Sequence, residues 1–403
     1  MPFLTGKRHQ EGKIVSCQKI EAKSARLKIK LLLNGIRIEE TALNGLGTKY
    51  KEYQYGYNDS NWLKKNKQQL LPSELLLPGG IVAAPHLRPN SPYIIKRNEK
   101  EMFVFNEAAE EYISAIDYLP RPKIWDLTLD DGTPVKNYLN IYGKDCLNLF
   151  IVANCEFWNV GLPCTFCSLQ PTQKFHEEAE MFKPIEKIQE AVKKAFASGD
   201  ELNSMIITGG SLINRNEENK RYVDVLNVIQ RLIPELWNGK ILGNGALIPS
   251  CNEDDLKKLF ETGIEHPSFN LEVWGQEMFS KHCPGKELYA GFTSLQDTYK
   301  MAVKLWGSGE VWCNFVGGIS PIENLIQGFK ELANIGVVSG ANIFHLDPSA
   351  PAVELGLKEP TEDYVFDLYG SLNEIYHTYG FKPFFNAGIL RNSLSNEFYN
   401  GWL

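Results

Sequence analysis

Three cysteines lie close together in the sequence and have a spacing that suits metal chemistry. Cys155, Cys164 and Cys167 have the spacing C-x8-C-x2-C and follow the mostly apolar run Leu147 to Ala153. A loop after a buried strand can bring three thiolates together. Thiolates are soft ligands that select zinc, copper(I) or iron-sulfur clusters. The spacing therefore indicates a metal or cluster site.

Three thiolates are one ligand short of a closed four-ligand site, and this leaves alternatives. His176, nine positions after Cys167, could complete a Cys3His zinc site of the structural kind. A cubane held by three thiolates would instead leave one iron open for another ligand. Free thiols without a metal are the third possibility, because cysteine is a common core residue. The loop alone does not choose among them.

The chain beyond residue 140 alternates apolar runs with amphipathic segments. Such repeats predict a parallel sheet with helices outside it. Six repeats suit either a partial barrel or a doubly wound sheet. The predicted strands are Leu147 to Ala153, Ser204 to Thr208, Lys240 to Asn244, Ser268 to Val273, Val311 to Val316 and Asn342 to Leu346. The predicted helices are Pro184 to Ser198, Glu218 to Leu236, Asn252 to Thr262, Ser294 to Trp306, Pro321 to Asn334 and Thr361 to Tyr379.

Residues 1–140 have a different pattern and predict a separate N-terminal α+β extension. Ala25 to Glu40 alternates around Asn34-Gly35, which predicts a β-hairpin. Tyr93 to Ile95 and Glu101 to Phe105 are predicted strands, and Asn106 to Tyr118 is a predicted helix. The remaining domain, residues 141–403, contains the six repeats and a C-terminal tail.

Composition limits the class of protein. The 403 residues are 43% hydrophobic and 23% charged, values typical of a soluble protein with a substantial core. The net charge of −7 gives no basic surface for nucleic acid. The first residues lack the apolar core of a signal peptide, and no apolar run is long enough to span a bilayer. We therefore expect a cytoplasmic protein without a membrane or nucleic-acid partner.

The cysteine loop and the six repeats together resemble the radical S-adenosylmethionine (radical SAM) superfamily. Most members of that superfamily have C-x3-C-x2-C, so the longer first gap here is a departure. Phe166, before the third cysteine, matches the aromatic residue that the superfamily places near adenine. The resemblance covers roughly residues 145–380 and implies a partial (β/α)6 TIM-type barrel. It also implies a [4Fe-4S] cluster held by Cys155, Cys164 and Cys167, with S-adenosylmethionine (SAM) on the open iron.

The resemblance implies further SAM-binding positions. Gly209 and Gly210 match two residues of the superfamily's Gly-Gly-Glu, whereas Ser211 replaces its acid. The resemblance implies SAM contacts from three strands. They are Gly209 and Gly210 after the second strand, Glu272 on the fourth strand and Lys286 after it, and Val316 and Gly317 on the fifth strand. Each position also has a non-functional alternative. These are a strand-helix turn for Gly209 and Gly210, a structural ion pair for Glu272, a surface lysine for Lys286, and an ordinary strand end for Val316 and Gly317.

His345 and Asp347 are candidate catalytic residues, because polar groups at the carboxyl ends of barrel strands face the substrate. A core histidine is an equal alternative for His345. Four dispersed cysteines do not predict a second cluster; packing is the expected role, and a hydrogen or proton donor is the alternative. They are Cys146, Cys251, Cys283 and Cys313.

The activity implied by the resemblance is reductive cleavage of SAM, followed by radical chemistry on a small metabolite or natural-product precursor. Transfer of the aminocarboxypropyl part of SAM by the same cluster is a second possibility. A zinc-stabilised α/β binding protein is the alternative from another class. An electron donor such as flavodoxin or ferredoxin is the expected protein partner of the radical enzyme.

Overall fold

The larger of two β-sheets contains the predicted repeats. In this computed structural model, residues 5–46, 49–51, 71–175, 181–233, 241–246, 252–383 and 389–403 are described. The sheet consists of β7 (Leu139–Tyr142), β8 (Cys146–Val152), β9 (Ser204–Gly209), β10 (Ile241–Ala246), β11 (Ile264–Ser268), β12 (Val311–Gly317) and β13 (Val337–Ile343). Its strands lie side by side in the order β13-β12-β11-β10-β9-β8-β7.

The strand order distinguishes between the two predicted architectures. β8 to β13 pair in parallel, each with the next strand along the chain, while β7 pairs antiparallel with β8. A doubly wound sheet would reverse its order at a switch point. Here the order never reverses, and β7 and β13 remain as open edges. The predicted α/β class with a partial (β/α)6 barrel is confirmed.

Helices follow the parallel strands. They are Glu156–Asn159, Leu169–Phe175, Ile185–Ala197, Arg215–Leu232, Glu253–Glu261, Gln276–His282, Pro284–Tyr289, Phe292–Trp306, Ile322–Asn334, Glu362–Tyr379 and Ser395–Tyr399. Asn214, Asn252 and Thr361 accept backbone N–H bonds at helix starts, as N-caps do. Lys240 and Leu236, at the ends of two predicted elements, lie outside the described residues. None of the described helices combines the length and apolar composition needed to cross a bilayer.

The predicted bounds of two strands of this sheet differ from those in the structure. The fourth, predicted from Ser268 to Val273, is Ile264–Ser268. The apolar run after Ser268 is buried but pairs irregularly with β12, because the Asn270 side chain accepts the N–H of Asn314 and Glu272 has φ of 70°. The sixth, predicted from Asn342 to Leu346, is Val337–Ile343, which pairs along its whole length with β12.

The N-terminal sheet confirms the predicted α+β character of the extension. Its order is β1-β4-β5-β6-β2-β3. The strands are β1 (Arg37–Ile38), β2 (Leu75–Leu77), β3 (Ile81–Ala83), β4 (Tyr93–Arg97), β5 (Met102–Asn106) and β6 (Glu111–Tyr118). The helix predicted from Asn106 to Tyr118 is wrong, because β6 forms a hairpin with β5. The Asn106 side chain accepts two N–H bonds in the intervening turn, which favours a turn over a helix.

The predicted hairpin at Asn34-Gly35 is also wrong. Residues Thr5–Asn34 form one helix, α1, and Gly35 ends it with φ of 67° and an N–H bond to the Leu31 carbonyl. The helix packs on two cores: Ile29 and Leu32 join the barrel core, and Ala25, Leu27 and Leu31 join the core under the N-terminal sheet. Because the helix buries apolar residues on two faces, apolar and polar residues alternate in its sequence as they would in a strand.

Buried ion pairs connect the N-terminal part to the C-terminal segment. Lys28 on α1 binds Glu397 at 2.6 Å. The fully buried Glu74 binds the Lys51 ammonium at 2.6 Å and also binds Arg391. Together Lys51 and Arg391 lower the pKa of Glu74 against the opposing effect of burial. The ionised carboxylate of Glu74 therefore joins chain segments that are far apart in the sequence.

Replacing Glu74 with Gln should remove the negative charge and leave two buried cations without their counter-ion. We expect the free energy of unfolding to fall by about 3 kcal/mol. Urea denaturation of the variant and the parent chain measures it. Glu99→Gln, at an exposed turn, is the matched control and should stay within about 0.5 kcal/mol of the parent. Equal effects of the two substitutions would contradict the prediction.

Candidate functional site

The three predicted cysteine ligands lie on the loop that leaves β8. Cys155 precedes the short helix Glu156–Asn159, and a turn joins Cys164 to Cys167, with an N–H to carbonyl distance of 3.1 Å. All three side chains are partly buried. The loop lies at the carboxyl end of the parallel strands, where barrel folds carry their reactive groups.

The start of the cysteine loop is fixed to the loop after β9. The Glu156 N–H donates to the Ser211 carbonyl at 2.8 Å, and the Glu156 carboxylate accepts the N–H of Ile213 at 2.6 Å. A Cβ atom on Gly210 would lie 2.1 Å from the Asn154 carbonyl oxygen. Gly210 therefore has a structural reason to be glycine, since any side chain would push the cysteine loop away.

The end of the cysteine loop is fixed to the segment after the fourth strand. The Thr165 N–H donates to the His282 carbonyl at 2.9 Å, and the Thr165 hydroxyl is 2.9 Å from His282 Nδ1. A Cβ on Gly285 would lie 2.5 Å from the Phe157 ring and 2.7 Å from the Leu162 carbonyl oxygen. Two parallel-strand loops therefore hold the cysteine loop from both sides.

Glu272 and Lys286, both predicted from the sequence, form an ion pair beside this loop. Lys286 Nζ is 2.8 Å from Glu272 Oε1 and donates to the Asn270 carbonyl, also at 2.8 Å. Burial disfavours the Lys286 ammonium, but the negative charge of Glu272 outweighs burial and raises the pKa of Lys286 above the usual range. The pair places both charges against the cysteine loop.

Burial keeps the three thiols protonated in the free chain. It raises the pKa of Cys155 to about 11 and that of Cys167 to about 12. For Cys164, a hydrogen bond to Cys283 comes first, and burial adds to it, so the pKa lies well above the ordinary value. Metal binding to these sulfurs therefore has to release protons.

Backbone donors surround two of the three cysteine sulfurs. Backbone N–H groups already point at two sulfurs: Leu169 donates to Cys167 Sγ at 3.4 Å, and Ser211 and Phe157 donate to Cys155. Such bonds stabilise thiolates. Within the described ranges, no group of three His, Cys, Asp or Glu side chains could hold a metal ion as arranged. A cubane binds each thiolate at a different iron, and His176 lies outside the described residues.

The other predicted SAM contacts also lie at or near the carboxyl ends of the parallel strands. A Cβ on Gly317 would lie 2.4 Å from the Leu368 side chain, so this glycine faces the outer helix layer. Val316 is partly buried and donates its N–H to the Glu272 carbonyl at 2.8 Å. Phe166 is partly buried and packs on the barrel core. Val316 is therefore better placed than Gly317 to face the site.

His345 and Asp347 lie in the loop after β13. The His345 ring contacts the ring of His86 in the N-terminal part, with 3.7 Å between ring centres and 39° between the ring planes. Asp347 is 3% exposed and accepts the N–H and hydroxyl of Ser349 at 2.8 and 2.7 Å. It also bonds the side chain of Ser168, next to Cys167, although burial raises its pKa. Asp347 thus connects the sixth-strand loop to the cysteine loop.

A cavity of about 550 Å³ lies at the amino ends of the parallel strands, on the side of the sheet away from the cysteine loop. Its lining includes Asp145 and Ser204, which stand at the amino ends of β8 and β9, together with Glu265, His266 and Trp312. The amino ends of barrel strands usually serve stability rather than chemistry. The cavity is separate from the cysteine loop.

Sequence reasoning missed three residues that fix or contact the cysteine loop: Glu156, His282 and Cys283. The first two act through hydrogen bonds to backbone groups, which leave no spacing motif. Cys283 was assigned to packing with the other dispersed cysteines, and the buried Cys146 and Cys313 remain consistent with that role. The position of Cys283 three residues before Lys286 was the available signal. Cys251 lies outside the described residues.

Comparison with known proteins finds distant similarity. No protein-family model matches the chain. The chain is similar to the bacteriochlorophyllide c C-7(1)-hydroxylase of Chlorobaculum limnaeum, with 23% identity over 264 residues. The match covers 62% of this chain and 64% of the hydroxylase, less than two thirds of either protein.

Solved structures give weaker likenesses. A radical SAM methyltransferase from Sphaerobacter thermophilus has a TM-score of 0.43 and 12% identity, covering 76% of this chain and 81% of that one. Methylornithine synthase has a TM-score of 0.40 and 14% identity, covering 62% and 71%. Coproporphyrinogen III oxidase from Escherichia coli, a radical SAM enzyme, has a TM-score of 0.35 and 12% identity, covering 54% and 50%. These scores are low, so the fold assignment rests on strand order and pairing.

The contact between His86 and His345 predicts that acid destabilises the protein. Burial lowers the pKa of His345 to about 4 and that of His86 well below 6.5. Between pH 6.5 and pH 4 the unfolded chain therefore binds protons that the folded chain does not, and stability falls as the pH falls. We expect His345→Gln to reduce this loss by about 2 kcal/mol.

Urea denaturation at pH 7 and pH 4.5 measures the difference. His377→Gln, at an exposed histidine, is the control and should keep the pH dependence of the parent chain. A His345→Gln variant that loses as much stability as the parent on acidification would contradict the prediction.

Proposed function

We propose that this chain is a radical SAM enzyme in which Cys155, Cys164 and Cys167 bind a [4Fe-4S] cluster. The observation that carries the proposal is the position of this cysteine loop against the Glu272–Lys286 ion pair. Both lie at the carboxyl ends of the six parallel strands β8 to β13, whose order in the sheet never reverses. Thiolates suit the cluster, and a neighbouring pair of opposite charges suits the amino and carboxylate groups of SAM.

The chain's own residues would prepare and shield the site. Cys155, Cys164 and Cys167 give up their protons to become ligands, and the N–H groups directed at Cys155 and Cys167 stabilise the resulting charge. When bound, the cluster supplies the electron that cleaves SAM and starts radical chemistry. The protein contributes binding, orientation and exclusion of water.

The residues proposed to bind SAM surround the cysteine loop. Lys286 would meet the SAM carboxylate as a point charge, and Glu272 would accept hydrogen bonds from its amino or ribose groups. Gly209 and Gly210 are proposed to contact SAM through backbone atoms at the end of β9, since the space that a Cβ atom would occupy is filled by Val152 at Gly209 and by Asn154 at Gly210. The apolar residues assigned to the adenine ring are Phe166 and Val316, whereas Gly317, which was predicted with them, faces the outer helix layer.

A small metabolite or natural-product precursor is the substrate class that we propose. The similar hydroxylase carries the name of a small molecule, bacteriochlorophyllide c, as its substrate. His345 and Asp347, beyond the cysteine loop, are the proposed substrate-facing residues. An electron donor such as flavodoxin or ferredoxin is the proposed partner, and the net charge of −7 disfavours nucleic acid.

Anaerobic reconstitution with iron and sulfide tests the proposal. We expect about four irons per chain and broad brown absorption. Dithionite and SAM should then give 5′-deoxyadenosine, detected by mass spectrometry. Methylthioadenosine would instead indicate aminocarboxypropyl transfer. Colourless protein that binds zinc and no cluster would refute the radical enzyme and support a zinc-stabilised binding protein.

Each of Cys155→Ala, Cys164→Ala and Cys167→Ala should lose most of the cluster iron, because one missing thiolate leaves an iron unligated. Iron and sulfide analysis after identical reconstitution measures the loss. Cys313→Ala removes a buried thiol on β12 and is the control, with iron as in the parent chain. Full iron content in any of the three ligand variants would remove that cysteine from the proposed set.

Glu272→Gln should weaken SAM binding about tenfold, or about 1.4 kcal/mol, because a neutral amide replaces a partly buried carboxylate. Isothermal titration calorimetry of reconstituted, oxidised protein with SAM measures the affinity. Glu277→Gln, at an exposed position on the next helix, is the control and should bind as the parent does. Unchanged affinity in Glu272→Gln would assign the ion pair a structural role only.

A further inference from the structure

The cavity at the amino ends of the parallel strands has no role in the proposed function. Its volume of about 550 Å³ lies within the range of small-molecule binding sites. The cysteine loop lies at the other ends of these strands, so a molecule in this cavity would leave the proposed SAM site open. Segments that are far apart in the sequence form the wall, including Asp145 before β8, Ser204 on β9, Glu265 on β11, Glu310 before β12 and Phe381 near the C-terminus.

The cavity wall has a surplus of negative charge. Three carboxylates line it, those of Asp145, Glu265 and Glu310, and among the described lining residues Lys382 is the single lysine or arginine. Within the described part of the chain, Asp145 and Glu265 form no ion pair. Glu310 Oε2 lies 3.1 Å from His266 Nδ1. The concave shape concentrates the field of these charges and favours a cation.

Two buried oxygen atoms at this wall have no hydrogen-bond partner among the described residues. One is Asp145 Oδ1, whereas the second oxygen of this carboxylate accepts the Asn203 side-chain amide at 2.9 Å. The other is the hydroxyl oxygen of Ser204, a residue that is 7% exposed. A buried polar atom without a partner is unfavourable. A molecule that donates hydrogen bonds here would therefore be stabilised.

Aromatic side chains form another part of the wall. They are Trp312, Tyr379 and Phe381. The rings of Tyr379 and Phe381 stack, with 5.7 Å between ring centres and 24° between the ring planes. The faces of aromatic rings attract cations, and tryptophan does so most strongly. The rings also offer apolar surface to the hydrocarbon part of a ligand.

The distribution of the charges disfavours a bare metal ion as the ligand. Within the described ranges, no three His, Cys, Asp or Glu side chains are arranged to hold one. Asp145, Glu265 and Glu310 instead belong to separate elements around the cavity. An extended molecule can approach several of these carboxylates at once, whereas a single ion cannot.

We propose that this cavity binds an organic amine, a compound with a protonated nitrogen and an apolar or aromatic part. The ammonium group lies among the three carboxylates and donates a hydrogen bond to Asp145, while the apolar part packs against Trp312 and Phe381. The site is separate from the cysteine loop and needs neither cluster nor SAM. The inference therefore goes beyond the proposed function and does not depend on it.

Isothermal titration calorimetry of the full chain, without cluster or SAM, tests the site with three matched probes. Tyramine carries an ammonium group, tyrosol a neutral hydroxyl group and 4-hydroxyphenylacetate a carboxylate, each on the same phenol ring. We expect tyramine to bind at least about tenfold more tightly than tyrosol, because only the ammonium meets the carboxylates as a cation. The carboxylate probe should not bind. Added sodium chloride should weaken the binding of tyramine.

Glu265→Gln should weaken tyramine binding about threefold, because it removes one charge from the wall and keeps the size of the side chain. Glu310→Gln should repeat the effect if Glu265→Gln folds poorly. Glu261→Gln, at an exposed position at the end of the preceding helix, is the matched control and should bind as the parent does.

Three results would overturn the inference. They are absence of measurable tyramine binding, equal affinity for tyramine and tyrosol, and unchanged affinity in both Glu265→Gln and Glu310→Gln. None of them bears on the cluster, whose presence is decided by the iron content of the reconstituted chain.

Discussion

The site depends on the attachment of the cysteine loop to two neighbouring strand loops. Glu156 fixes its beginning to Ser211 and Ile213, and Thr165 fixes its end to His282. Two of these bonds join backbone groups and two need the side chains of Glu156, Thr165 and His282, so the position of the loop depends on particular residues as well as on the backbone. The long first gap between cysteines fits this arrangement, because the helix Glu156–Asn159 occupies part of it.

The sequence predicted the architecture better than the boundaries of individual strands. Repeating apolar and amphipathic segments were enough for a parallel sheet, but only the pairing of strands distinguished a partial barrel from a doubly wound sheet. The fourth strand was misplaced because the apolar run from Phe269 to Val273 is buried without regular pairing. The sixth was misplaced because Gly340 lowers the strand signal in a segment that pairs completely with β12.

Charged and thiol residues of the site were predictable to different degrees. The cysteine spacing identified three sulfurs, and a carboxylate within an apolar run identified Glu272, whose partner is Lys286. No pattern in the sequence could show that His282 contacts Thr165, since this contact joins the loops of the first and fourth strands. His86 was equally hidden, because it reaches His345 from the segment after β3 in the N-terminal part.

The position of helix α1 affects how the protein unfolds. One face of the helix belongs to the barrel core and another to the core beneath the N-terminal sheet. Neither core can lose this helix without exposing apolar surface of its own, so loss of order on one side raises the free energy of the other. Although the two sheets are distinct, α1 thus makes them energetically coupled parts of one cooperative folding unit.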